Sequence, residues 1–103
     1  MAITVYTKQE CSFCVKAINL LTYDKEQTIT VIDVTKDEQT HNIIKEQTSH
    51  ETVPAIFIGG KFLGGCSELF ELEEKGKLDI LLLKEDIREL KREMKYLKQE
   101  RRV

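Results

Sequence analysis

The sequence predicts an α/β domain, a four-stranded mixed sheet flanked by helices, followed by a long amphipathic helix at the C-terminus. Three observations carry this. Short β-rich runs alternate with stretches of helical periodicity through most of the chain. The pair Gly59-Gly60 sits between two apolar runs, where a tight hairpin turn needs positive φ angles. From Ile80 onward, apolar residues recur at steps of three and four with charged residues between them.

Each element follows in order. Ile3 to Tyr6 is a short strand, and after Cys11 the residues Cys14, Ala17, Ile18 and Leu21 fall on one helix face. Ile29 to Val34 reads as a second strand ending in the polar Thr35-Lys36-Asp37. A helix follows over Glu38 to Thr48, its thin apolar face resting on Ile43 and Ile44. Ala55-Ile56-Phe57-Ile58, the glycine pair and Lys61-Phe62-Leu63 form an antiparallel hairpin. Gly64-Gly65-Cys66-Ser67 opens a third helix with Ser67 as its cap, Leu69, Phe70 and Leu72 facing inward, and Gly76 at its end. The last helix begins near Leu78. The order β-α-β-α-β-β-α-α, with one parallel and one antiparallel strand pair, is the thioredoxin-like architecture.

Composition narrows the function. At 103 residues the chain holds one compact domain, expected over residues 1–84, with 85–103 as a helical extension. Its net charge of −2 and lack of a concentrated basic face argue against nucleic acid as a partner. No apolar run reaches the roughly 18 residues of a membrane span. Met1 to Tyr6 runs straight into a strand without the features of a secretory signal, so a cytoplasmic location is expected. The three cysteines are then not a stapled extracellular scaffold, and Cys11 and Cys14 have the spacing of a redox pair.

A thiol attacks a disulfide only as the thiolate. Cys11 falls at the first turn of the predicted helix, where free N–H groups and the helix dipole favour an anion, and Lys8 precedes it by three residues. Cys14 lies one turn deeper, which makes Cys11 the attacking thiol and Cys14 the resolving one. Two cysteines at this spacing are also what small buried hydrophobes or half a zinc site would look like. Zinc needs four ligands, however, and Cys66, His41 and His50 form no second C-x-x-C or H-x-x-x-H, so no metal site is expected.

Val5-Tyr6-Thr7-Lys8 before Cys11-Ser12-Phe13-Cys14, then Thr52-Val53-Pro54, Phe57-Ile58-Gly59-Gly60-Lys61 and Gly64-Gly65-Cys66-Ser67-Glu68-Leu69 stand in register with the glutaredoxins, which residues 2 to about 84 resemble. Thioredoxin itself fits poorly, because its site carries a tryptophan and this chain has none. The resemblance implies a glutathione-dependent oxidoreductase that reduces protein disulfides and glutathione mixed disulfides, ribonucleotide reductase being a usual client. It implies a cis Pro54, with Val53 offering its main chain to glutathione. It implies a glutathione cleft formed by Lys8, Phe13, Thr52, Val53, Pro54, Gly64, Gly65, Cys66 and Ser67. There Lys8 pairs with the glycine carboxylate, and the helix start at Cys66 and Ser67 binds the γ-glutamyl carboxylate.

The chain also departs from the family pattern. Ser12 and Phe13 replace the commoner Pro and Tyr, and members with a small residue at that place are those that hold a glutathione-ligated [2Fe-2S] cluster between two protomers. Cys11 would be the protein ligand to such a cluster, which is the alternative function. Ser49-His50-Glu51 replaces the usual glycine before T-V-P, leaving Lys45, His41 and Gln47 as candidates for the second helix's contact to glutathione.

Beyond the resemblance, Ile80, Leu83, Ile87, Leu90, Met94 and Leu97 occupy the a and d positions of a short coiled coil, ended by Arg101. The e positions are Lys84, Lys91 and Lys98, and the g positions are Asp86, Glu93 and Glu100. A parallel pair matches opposite charges and an antiparallel pair matches like ones, so a weak parallel homodimer through residues 83–100 is expected. The competing expectations are a helix folded over its own domain, with Ile80 and Leu83 against the sheet, a helix frayed in solvent, or a redox-inactive interaction module.

Overall fold

The computed structural model describes residues 2–100, with side chains through Lys98. The chain runs β1 (Ile3–Thr7), α1 (Ser12–Asn19), a π-helical turn (Leu20–Asp24), β2 (Thr30–Asp33), α2 (Glu38–Thr48), β3 (Ala55–Ile58), β4 (Lys61–Gly64), α3 (Cys66–Glu74) and α4 (Leu78–Glu100). This is the expected thioredoxin-like order. The sheet order is β2-β1-β3-β4. β1 and β2 are parallel, with Val5 opposite Val31, a pairing that requires the crossover α1 supplies. β1 and β3 are antiparallel, with Val5 opposite Ile56, and the β3–β4 hairpin is antiparallel with an irregularity between Ile56 and Phe57. Gly59 and Gly60 turn the hairpin at φ 59° and 79°, the left-handed pair that a two-residue turn demands.

Alternation along β1 buries Ile3, Val5 and Thr7 on one face, where Val5 and Ile56 meet Ala17 and Leu21 of the α1 segment and Leu69 of α3. α1 does not stop after its apolar face but widens into the π-turn, closed by Lys25 N–H donating to Leu20 O at 2.9 Å. Lys25 Nζ then bridges Glu73 (2.7 Å) and Asp79 (2.9 Å), tying this turn to the α3–α4 junction. The paired carboxylates, Glu73 foremost, raise the Lys25 ammonium above its ordinary range.

α2 is capped by Asp37, whose carboxylate accepts from Thr40 N–H at 3.1 Å and Thr40 Oγ1 at 2.6 Å, bonds that hold its carboxyl below the usual range. The helix turns His41 and Ile44 inward and leaves Ile43 44% exposed, so of the two residues expected on the inner face Ile44 is found there and His41 takes the place of Ile43. It ends on Ser49 at φ 59°, a non-glycine residue in the left-handed conformation. α3 starts two residues earlier than expected. Gly65 is the cap and has no side chain to close it, while Ser67 lies inside the helix and is exposed.

α4 is one continuous helix from Leu78, and its first turns are part of the core. Leu78 and Leu82 are buried with Leu81 packed beside them, and Glu85 is buried below the β3–β4 turn. Ile80 and Leu83 point the other way, 52% and 60% exposed, so the expected packing of these two against the domain does not occur. The side chain of Glu100 and the whole of Arg101 lie outside the described residues. Among the described residues no helix is long and apolar enough to cross a membrane.

Candidate active site

β1, an inner strand of the sheet, ends at Thr7, and a short connection with Glu10 at φ 57° carries the chain to Cys11. Cys11 caps α1 rather than lying within its first turn. Its backbone is extended (φ −107°, ψ 102°), and its Sγ accepts the Cys14 N–H at 3.2 Å. Sulfur thus takes the place of the usual capping oxygen, and a bond of this kind strengthens when the acceptor is charged. Cys11 is half-buried, and its S–H lies 3.8 Å from Val53 O.

Cys14 sits one turn further along and is 1% exposed. Burial first, and then the bond to Cys11, push its thiol above the ordinary range, so it stays protonated while Cys11 meets solvent. The helix start therefore holds one half-buried thiol that reaches solvent and one buried thiol a turn deeper. All three thiols are free.

The Val53-Pro54 peptide bond is cis. Facing Cys11, a cleft of about 340 Å³ is lined by Phe13, His50, Thr52, Val53, Pro54, Gly65, Cys66, Ser67 and Glu68. This is a size suited to small-molecule binding. Seven of the nine cleft residues expected from the sequence line this single cleft. The other two stand apart. Gly64 is buried at the end of β4 with φ 138°, and a Cβ there would come within 2.8 Å of the Glu68 side chain, so it supports the wall from behind. Lys8 is half-buried at the end of β1.

Sequence reasoning missed two of the lining residues, Glu68 and, of more consequence for the wall, His50. With its Nε2 protonated His50 donates to Pro54 O at 3.2 Å, and Thr52 Oγ1 lies 3.4 Å from the same nitrogen. Its ring packs on Phe62 with centroids 5.4 Å apart. Gly65 lets this imidazole in, since a Cβ there would sit 3.0 Å from His50 Cε1 and 3.3 Å from Pro54 O. The signal was the position itself, four residues before the proline, where its ring can reach back to the loop carbonyl.

Of the three candidates on α2, Gln47 is exposed, Lys45 half-buried and His41 buried, 6% exposed. Among the described residues His41 Nε2 has no hydrogen-bond partner, and burial, followed by the charges of Lys8 and Lys45, lowers its basicity. Cys66 opens α3, and burial raises its thiol as well, in keeping with packing rather than attack.

A capped, accessible sulfur, a deeper partner thiol and an adjoining cleft are an arrangement suited to thiol–disulfide exchange. Comparison with known proteins agrees. The family model "Glutaredoxin" matches residues 3–63. Glutaredoxin 1 of Rickettsia prowazekii is 42% identical over 84 residues, covering 78% of this chain and 85% of that protein. Among solved structures, the dithiolic glutaredoxin 2-C-Grx1 of Trypanosoma brucei brucei superposes with a TM-score of 0.68 at 43% identity, over 78% of this chain and 84% of that one. A buckwheat glutaredoxin–glutathione complex superposes with a TM-score of 0.74 at 26% identity, over 82% of this chain and 78% of that one. Sequence, fold and site geometry together make this chain a member of the glutaredoxin family, an oxidoreductase of the thioredoxin-like fold.

Proposed function

We propose that the protein is a dithiol glutaredoxin that uses glutathione as reductant and acts on protein disulfides and glutathione mixed disulfides. The observation that carries this reading is the meeting of Cys11 Sγ with Cys14 N–H and Val53 O beside one cleft. On a glutathionylated protein, the Cys11 thiolate attacks the glutathione sulfur. A Cys11–glutathione disulfide forms and the protein thiolate leaves. A second glutathione thiolate then attacks that sulfur, releasing oxidised glutathione and restoring Cys11. On a protein disulfide, Cys11 forms the mixed disulfide, Cys14 loses its proton and attacks Cys11 Sγ, and the second target thiol leaves. Two glutathiones then reduce the Cys11–Cys14 bond.

In this reading Val53 pairs its main chain with the tripeptide, and the uncapped start of α3 at Cys66 and Ser67 receives the γ-glutamyl carboxylate. Lys8 receives the glycine carboxylate, and Lys45, His41 or Gln47 supplies the contact from α2. The redox unit is residues 1–84, with 85–103 as its extension, working in the cytoplasm, and ribonucleotide reductase is the client to test first. Turnover of hydroxyethyl disulfide with glutathione tests the reading directly: robust turnover abolished by Cys11→Ser is expected, and an inactive wild type refutes it. A [2Fe-2S] cluster ligated by Cys11 would need a second protomer and two glutathiones. Protein that stays colourless after anaerobic reconstitution with iron, sulfide and glutathione is the expected outcome.

A further inference from the structure

We infer that the outward face of α4 is the docking surface for a second copy of this chain, in parallel orientation. The helix carries two apolar faces with different fates. Leu78 and Leu82, with Glu85, are spent on the domain, while Ile80, Leu83, Ile87, Leu90, Met94 and Leu97 lie on the opposite side and are 45–60% exposed. Six large apolar side chains in one continuous row exceed what a monomer ordinarily leaves to water as scattered residues. The row follows the alternating three- and four-residue steps of a coiled-coil seam; its inner end at Leu83 borders a cleft shared with Asp24, Lys25 and Gln27, and from Ile87 to Leu97 it lies opposite the face that buries Leu78, Leu82 and Glu85.

The flanking charges select the occupant. Lys84, Lys91 and Lys98 border one edge of the row, and Asp86 and Glu93 border the other, all exposed. A second identical helix laid parallel brings Asp86 beside the partner copy's lysine at position 91 and Glu93 beside that at position 98, twice each by symmetry. Laid antiparallel, it brings lysine against lysine and acid against acid. Isoleucine at the first two a positions with leucine at d favours two strands. Such a pair keeps both redox domains at the same end, outside the seam.

Sedimentation equilibrium of the full chain should show a reversible monomer–dimer equilibrium, and Ile87→Asp with Leu90→Asp should give a monomer of unchanged turnover, none of these residues touching the cleft. Lys91→Glu sets the orientation. In a parallel pair it faces Asp86 and weakens dimerisation by roughly threefold to tenfold, with rescue by adding Asp86→Lys. In an antiparallel pair it faces Lys84 and tightens it. A wild type that stays monomeric at high-micromolar concentration overturns the proposal, as does a dimer that survives the double aspartate variant. A dimer tightened by Lys91→Glu overturns the parallel assignment.

Discussion

Replacing Gly65 with alanine tests whether the cleft wall is held by the contact between His50 and the start of α3. Gly65 has φ −103° and ψ −161°, a conformation alanine adopts freely, so the substitution carries no backbone penalty. What it adds is one carbon placed 3.0 Å from His50 Cε1, 3.1 Å from His50 Nε2 and 3.3 Å from Pro54 O. The imidazole is held by its bond to Pro54 O and by Phe62, so it cannot swing aside without losing both contacts. Overpacking of this kind costs about 1–3 kcal/mol. Urea unfolding should show the midpoint falling at an unchanged slope, and the KM for glutathione should rise as the Val53-Pro54 segment shifts. His50→Ala alone removes a hydrogen bond worth about 1 kcal/mol. In the double variant the alanine at 65 finds room where the ring was, so the two losses should not add, with a coupling of about 1 kcal/mol or more. Strictly additive losses would refute the claim that the ring is what Gly65 accommodates.

Other outcomes follow from the same geometry. Cys14→Ser should keep removal of glutathione from mixed disulfides and lose reduction of protein disulfides, while Cys11→Ser loses both; activity in Cys11→Ser would reverse the assigned roles. Ser49→Gly relieves a left-handed serine at the end of α2 and should raise stability by about 0.5–1 kcal/mol, read from the urea midpoint. His41 is less basic folded than its ordinary 6.5, so the unfolded chain takes up its proton first. Stability should be full above that pH and decline below it, and His41→Gln should flatten this part of the profile. Lys25 is more basic folded than its ordinary 10.5, so its contribution is complete below that pH and is lost as pH rises through the raised value; Lys25→Met should lower the urea midpoint at neutral pH and remove that alkaline loss.

The fold was legible wherever local chemistry and global placement agree. Alternation in Ile3–Thr7 and the glycine pair at 59–60 each demand one structure, and each is found. The misses share a cause, which is that burial is decided by neighbours distant in sequence. Hydrophobicity favoured Ile43 for the inner face of α2, yet Ile44 and the histidine at 41 occupy it. Cap preference favoured Ser67, yet the close approach of His50 and Pro54 needs a residue without a side chain, and Gly65 takes the cap position. The π-turn after α1 carries no local signature; its Lys25 anchor depends on Glu73 and Asp79, nearly fifty residues away or more. His50 was visible as a rejected zinc ligand and as part of a departure from a family glycine, not as a wall of the cleft, because its role rests on a loop carbonyl and a ring that the fold brings to it.

The continuity of α4 has a mechanical consequence. A tether of glycine and serine would let an appended segment sample a wide volume around the redox domain, but here the same helix that buries Leu78 and Leu82 runs on to Glu100 without a break. From residue 85 to residue 100 the rise is about 22 Å of stiff rod. Whatever grips that rod inherits a fixed bearing and a fixed distance to Cys11, with no swivel to absorb a mismatch. Reach is then set by helix length and rotation, so that inserting or deleting one residue near position 90 would turn the far end by about 100° without touching the chemistry.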